Sequence, residues 1–280
     1  MRKDLGAPQA TINAYRGDLK LLVRLAPRDT VMEINPGLVR LYFEHCSRAR
    51  NVPRTLARKR GTMTVFFRWL IQHKGILEDP LLGLPPIKVP DRVPRPFSPQ
   101  ERDRLFGLEL DQRERTLRGM LYYTGIRATP LGLITWGDVK RSPITVEDVT
   151  FPGYIQTVQK GNKPLITPIH PQLLELLEAW AMTQDVKPFK WVFINRLGRP
   201  YDRHAIEDLT RGWGVMAKVT GQCNPHRFRH TFATDLLRLN VNLRVIQALL
   251  GHADIKTTTL YTKVSGGQTA EAVLKLPTLG

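Results

Sequence analysis

The chain has 280 residues, with 42 Lys and Arg against 25 Asp and Glu, a formal net charge of +17 and a pI near 10.3. Hydrophobic residues make up 42%, which suffices for packed cores and excludes a mainly disordered chain, while the length suggests two domains. The charge points to a polyanionic partner, with RNA, DNA and lipid surfaces all open, and says nothing yet about chemistry. Two cysteines, Cys46 and Cys223, exclude a disulfide framework and suit a reducing cytoplasm. No apolar run approaches the ~20 residues of a membrane span, and no signal-peptide core follows Met1-Arg2-Lys3.

In chain order, apolar residues at spacings of three and four, such as Tyr15, Leu19 and Leu22, predict helices over 9–25, 35–48 and 53–73. The densest basic run, Arg48, Arg50, Arg54, Arg58, Lys59 and Arg60, enters the third of these. Such a run is commonly a solvated face. Here it leads into Val65, Phe66, Trp69 and Leu70, so it belongs to a folded element that can position phosphates. The segment up to Pro96 carries 18 basic and 8 acidic residues, and the remainder 24 and 17. Both parts are basic, which fits one ligand touching both.

Seven of the 21 prolines fall between Pro80 and Pro99, predicting an extended linker. Ser98-Pro99-Gln100-Glu101 then has the cap, first-position proline and N3 acid of a helix start. A helix over 113–123 stops at Thr124-Gly125, and Thr129-Pro130 reads as the cap and first position of another. Strands are predicted over 144–150, 154–159 and 165–169, with Gly161-Asn162 as a turn that leaves Lys160 at the mouth of a hairpin. Helices follow over 171–182, 202–219, 225–239 and 243–250. The fold class is therefore mainly α, with a small antiparallel sheet in the second part. No internal repeat is evident.

Three runs could carry chemistry. Asn224-Pro225 starts a helix, placing His226 and Arg229 on one face of its first turn, where free N–H groups attract phosphate. Alone, that pattern also describes an ordinary helix start. Arg127, in the short turn after Gly125, reads equally as a phosphate clamp or an exposed turn residue. Gly251 reads as a helix C′ residue, with His252 in the turn beyond it and Tyr261 on a short polar segment. A lone tyrosine is more often packing than nucleophile, because a phenol needs cationic neighbours or a base before it attacks. Cys223 and His226 do not complete a metal-ligand pattern.

Together and in this order, the runs TGIR (124–127), QKGNK (159–163), HRFRH (226–230), LLGH (249–252) and TTTLYT (257–262) resemble the tyrosine recombinase, or phage integrase, family. The likeness spans nearly the whole chain. TINAYRGDLKLLVRL and ARKRGTMTVFFRWL look, more loosely, like that family's helical core-binding domain, and DPLLGLPPIKVP resembles its linker. The resemblance implies a helical core-binding, DNA-binding domain over 1–79, a linker over 80–99, and a mixed but mostly helical catalytic domain over 100–280 with a tail from 262.

It implies a site-specific DNA recombinase in which Tyr261 attacks a phosphodiester, giving a 3′-phosphotyrosyl link and a free 5′-hydroxyl. Arg127 and Arg229 would hold the non-bridging oxygens, and Lys160 would protonate the leaving oxygen, with Lys163 in reserve. His226 matches the proton-transferring, phosphate-contacting histidine, and His252 a second hydrogen-bond donor to the phosphate. No metal and no nucleotide cofactor are implied, since the phosphotyrosyl link conserves the bond energy. The implied partners are double-stranded recombination sites, bound by a homotetramer on two duplexes through a Holliday junction, with accessory DNA-bending or directionality factors admitted and no membrane. The compartment is a bacterial or phage-host cytoplasm.

One departure stands out. Pro130 occupies a position where the family commonly has an acid, so any contact from that carboxylate is lost. The tail, with Ala270, Ala272, Val273 and Leu274, is expected to pack on a neighbouring protomer. Few residues precede the first predicted helix, so a separate arm-binding domain is not expected. The preferred reading is a phage or mobile-element integrase; the alternatives are a Xer-like chromosome dimer resolvase, a type IB topoisomerase and a non-catalytic DNA-binding regulator.

Overall fold

The computed structural model describes residues 9–26, 34–73, 75–90, 95–146, 148–159, 163–251 and 266–279. The chain divides into two compact units, Met1–Val93 and Pro94–Gly280, each with its own core.

The first unit is built from α1 (Gln9–Leu25), α2 (Pro36–Arg48) and α3 (Pro53–Gln72). Asn35 accepts from the Leu38 N–H and caps α2, and Pro36 and Pro53 occupy first-turn positions where a missing N–H costs nothing. Leu22, Val39, Tyr42, Met63, Phe67 and Leu70 form the core. A polar clasp crosses it. Asp18 on α1, 3% exposed, accepts from both Nη groups of Arg58, from Lys59 and from Thr62 on α3. Burial alone would raise the Asp18 carboxyl. The hydrogen bonds from Arg58, Thr62 and Lys59 outweigh that and hold it below the usual range.

Packing extends both units into the stretch expected as linker. Leu81 is buried in the first core, with Leu84 against it, and the Leu84 carbonyl accepts from Arg60 at 3.0 Å. Phe97 is 2% exposed in the second core, edge-on to Phe228 at 4.9 Å. Proline spacing marked the interruption of regular structure, whereas the apolar residues between the prolines decide how far each core reaches.

In the second unit α4 (Pro99–Phe106) begins with the expected capping box of Ser98 and Glu101. The central helix α5 (Gln112–Thr124) is buried from Thr116 to Thr124 and packs on α7 (Pro171–Ala181) and α9 (Pro225–Arg238). The five-residue α6 (Ala128–Gly132), α8 (Arg203–Met216) and α10 (Leu243–Leu250) complete the helical layer around it. Asp235 on α9, 4% exposed, ties this layer together by accepting from Tyr122, Arg102 and Arg238.

The sheet has the order β1-β4-β5, from Val139–Lys140, Tyr154–Gln159 and Lys163–Pro168. All pairings are antiparallel, and Gln159 opposite Lys163 closes the β4–β5 hairpin. The single strand expected over 144–150 is instead two, β2 (Ile144–Val146) and β3 (Val149–Phe151), paired with each other. Asp148 at φ 66° reverses the chain between them, a conformation that aspartate tolerates better than most residues.

The tail is part of the second unit. It forms α11 (Gly266–Leu274) and packs on its own unit, against α10 and strands β2, β3 and β5. Ala270 and Val273 are fully buried there, with Ala272, Leu276 and Leu279 nearly so. Polar contacts fasten the last residues. Tyr123 Oη donates to the Pro277 carbonyl, the Leu279 N–H donates to Gln172 Oε1 at 2.7 Å, and His170 Nε2 lies 3.0 Å from the Leu276 carbonyl. In this conformation the apolar set is buried within one chain. Among the described residues no helix is long and apolar enough to cross a membrane.

Candidate active site

Gly125 ends α5 in the left-handed conformation at φ 59°. A Cβ there would stand 2.7 Å from Phe232 and 3.0 Å from Leu250, so both backbone angle and space require glycine. Thr124 fixes the turn beside it, donating to the Met120 carbonyl at 2.6 Å and accepting from the Ile126 N–H at 3.2 Å. The next helix starts two residues earlier than Thr129-Pro130 suggested. Its cap position is Arg127, with no side-chain cap bond. Pro130 is accommodated within the first turn because N–H groups there have no intrahelical acceptor. The Arg127 side chain is exposed and, among the described residues, has no hydrogen-bond or ion-pair partner. Of the two roles open to it, phosphate clamp or idle turn residue, the clamp fits a guanidinium left without a protein acceptor beside a second arginine.

That second arginine is Arg229, on the first turns of α9. Asn224 caps this helix as expected, accepting from the Arg227 N–H, with Pro225 in the first turn. Arg229 is 9% exposed. Its Nη1 donates to the Gly125 carbonyl at 2.7 Å and its Nη2 to the Leu250 carbonyl at 2.6 Å. These are carbonyls at the C-terminal ends of α5 and α10, the negative poles of two helices. Burial, and then the neighbouring Arg127, pull its pKa down to about 10, so it stays a cation at neutral pH. Five N–H donors belong to a guanidinium; two orient it, and the others are open to a ligand.

Arg127 and Arg229 share a cavity of about 460 Å³ whose walls include Thr157, Val158, Leu165 and Thr167 of the β4–β5 hairpin and Gly251 at the end of α10. A smaller one of about 130 Å³ joins them to His226, Arg203 and Glu207. Partial desolvation, then the charges of Arg203, His230, Arg229 and Arg127, hold the His226 imidazole below its ordinary value. It is therefore neutral at pH 7 and able to accept a proton. The arrangement offers two cations and a neutral imidazole to one small anion.

Three expected site residues, Lys160, His252 and Tyr261, lie outside the described residues. The described chain leads to them from the cavity wall: β4 and β5 flank Lys160, and Gly251 immediately precedes His252. Lys163 opens β5 opposite Gln159. Of the six basic residues expected to meet phosphate, three spend their donors inside the first unit. Arg58 and Lys59 hold Asp18, with the Lys59 side chain 13% exposed, and Arg60 holds the Leu84 carbonyl. All three are committed to partners within the unit, although the Arg58 side chain stays 48% exposed. Arg48, Arg50 and Arg54 are exposed, with Arg48 only loosely near Glu44 at 3.9 Å.

Two features of the site were missed in the sequence. Arg203 and Glu207 line the His226 cavity from α8, and only their four-residue spacing on a predicted helix hinted at a pair. Arg227, given no role within the HRFRH run, fastens the start of α9 by donating to Glu101 at 2.7 Å and lying over the Phe97 ring at 4.4 Å.

The comparisons with known proteins agree with this architecture. Residues 104–267 match the phage integrase family, and residues 3–74 match the phage integrase N-terminal SAM-like domain. The chain is 29% identical over 285 residues to the tyrosine recombinase XerD of Staphylococcus haemolyticus, covering 94% of this chain and 90% of that protein. It is 27% identical over 259 residues to the tyrosine recombinase XerC of Xanthomonas campestris pv. campestris, covering 90% and 78%. In fold it is similar to a lambda integrase (75–356) dimer bound to a COC′ core site, with a TM-score of 0.70, 17% identity and 94% of each chain covered. A second similar structure is the XerH site-specific recombinase on a palindromic difH substrate, in a post-cleavage complex, with a TM-score of 0.72, 18% identity, and coverage of 91% and 77%. With an integrase match over more than half its length and recombinase relatives along nearly all of it, the chain belongs to the phage integrase family of tyrosine recombinases.

Proposed function

We propose that this recombinase cleaves and rejoins duplex DNA at the cavity shared by Arg127, His226 and Arg229. The observation that carries the reading is the convergence of these residues on one anion-sized site. In the forward step the Tyr261 oxygen attacks the phosphorus and passes its proton to His226. Arg127 and Arg229 neutralise the charge that builds on the non-bridging oxygens. The bond to the 5′-oxygen breaks, Lys160 protonates that oxygen, and His252 donates a hydrogen bond to the phosphoryl group. A partner strand's 5′-hydroxyl reverses each transfer, so atoms and charge balance with no external energy source.

Four protomers on two duplexes would carry out strand exchange, with α11 leaving its own unit to pack on a neighbour. Accessory DNA-bending factors would belong to that assembly, in the cytoplasm where the DNA lies. Integration or excision of phage or mobile-element DNA is the role we propose. The XerC and XerD relatives, matched along most of their length, favour a second reading, resolution of chromosome dimers. Recombination of attachment-type sites against chromosomal resolution sites separates the two. The chemistry is tested on a nicked duplex carrying a sequence that the protein selects from a random library. Wild-type protein is expected to form a covalent adduct and Tyr261→Phe none; an undiminished adduct in the variant would refute the assignment.

A further inference from the structure

The small cavity next to His226 holds a group that the chemistry above does not use. Arg203 enters it from α8, whereas Arg127 comes from the turn between α5 and α6, and His226 and Arg229 come from α9. The Arg203 Nε donates to Glu207 Oε1 at 2.7 Å, and the Glu207 side chain is 24% exposed. That bond fixes the direction of the guanidinium plane. Among the described residues neither Nη group of Arg203 has a protein acceptor. Three arginines and one carboxylate therefore line a space of about 130 Å³, an excess of positive charge that an anion would relieve.

We propose that Arg203 is a third phosphate-contacting arginine of this site, aimed by Glu207 as its positioning residue. The proposal rests on the reading of the cavity as the place where a DNA phosphodiester binds. The two open Nη groups present a planar pair of donors, a shape that suits two phosphate oxygens and that a lysine cannot reproduce. Arg203 also acts on the neighbouring imidazole. The charged and titratable groups facing His226 are Arg203, Glu207 and Arg211 from α8, Arg127 from the turn, Cys223 from the segment before α9, and Arg229 and His230 from α9. After partial desolvation, Arg203 is the first of the charges that disfavour its protonation. Removing that cation should let His226 hold its proton to higher pH.

The test uses full-length protein and the nicked duplex described above, with single-turnover cleavage followed from pH 5 to pH 9 and binding followed by mobility shift. Arg203 is exposed and Glu207 partly so, and such a pair near the surface contributes little to folding, so the variants should fold. For R203A we expect cleavage slowed about 100-fold, as for loss of one transition-state donor, with the acid limb of the profile moved to higher pH. R203K should keep the limb in place and recover part of the rate. E207Q should slow cleavage less than R203A does and leave the limb unraised. A normal wild-type adduct with an R203A profile unchanged in rate and position would overturn the role of Arg203 alone. Equal losses in R203A and R203K with an unmoved limb would also overturn it, since that is the behaviour of a structural pair. Failure of the wild-type protein to form any adduct would overturn the phosphodiester reading, and the Arg203 role with it.

Discussion

At the scale of single residues, Arg229 shows how a buried cation is made useful. It is anchored by two helix-end carbonyls rather than by a carboxylate, so its charge is oriented without being cancelled. Arg229→Lys keeps a positive charge but cannot span both carbonyls and the ligand. Cleavage is expected to fall about 100- to 1000-fold, with duplex binding in a mobility-shift assay changed only a few-fold. His170 carries a different consequence. Its Nδ1 accepts from the Gln172 N–H at 3.2 Å, which leaves the ring proton on Nε2 facing the Leu276 carbonyl. Burial holds its pKa below the ordinary 6.5. The unfolded chain therefore binds the proton more readily, and the stability due to neutral His170 is present above that value and declines as pH falls below it. Melting midpoints should drop more between pH 7.5 and pH 5 for the wild type than for His170→Asn.

Elements show which physical signals a sequence carries. The caps and breaks were legible because they are local: Ser98 with Glu101, Asn224 with Pro225, and the glycines at 125 and 251, both in the left-handed region. Helix faces were legible from periodicity. What was not legible depended on long-range partners. Nothing nearby in the sequence says that Arg58 and Lys59 meet Asp18, 40 and 41 residues away, so a basic run read as a ligand surface is half structural. The two-residue strand β1 exists only because β4 pairs with it, and the reversal at Asp148 is too short to break the pattern of alternating residues. Likewise, the TGIR and HRFRH runs could be placed on helix ends, but their convergence through Gly125 and Leu250 could not. The Asp18 clasp makes a direct prediction. Asp18→Ala leaves the buried Thr62 hydroxyl and the largely buried Lys59 without their acceptor and should cost about 1–3 kcal/mol, read as a lower denaturation midpoint of the first unit.

Across the whole molecule, the +17 charge divides into three uses: cations that hold the fold, cations at the cavity, and exposed cations free for a polyanion. Arg48, Arg50 and Arg54 belong to the last group. Replacing all three by alanine should weaken duplex binding and reduce the slope of log K against log salt by about 2.7, if each neutralises one phosphate. Arg58→Ala should instead act mainly through stability.

The most direct test of the central claim is identification of the residue that becomes linked to DNA. The adduct formed on the nicked duplex is digested with trypsin and nuclease, and the modified peptide is found by mass spectrometry. The nucleotide remnant is expected on Tyr261, within the peptide of residues 257–263 that follows Lys256, and is expected to be lost in Arg229→Ala. A remnant on another tyrosine, or an adduct that forms as fast without Arg229, would contradict the central claim.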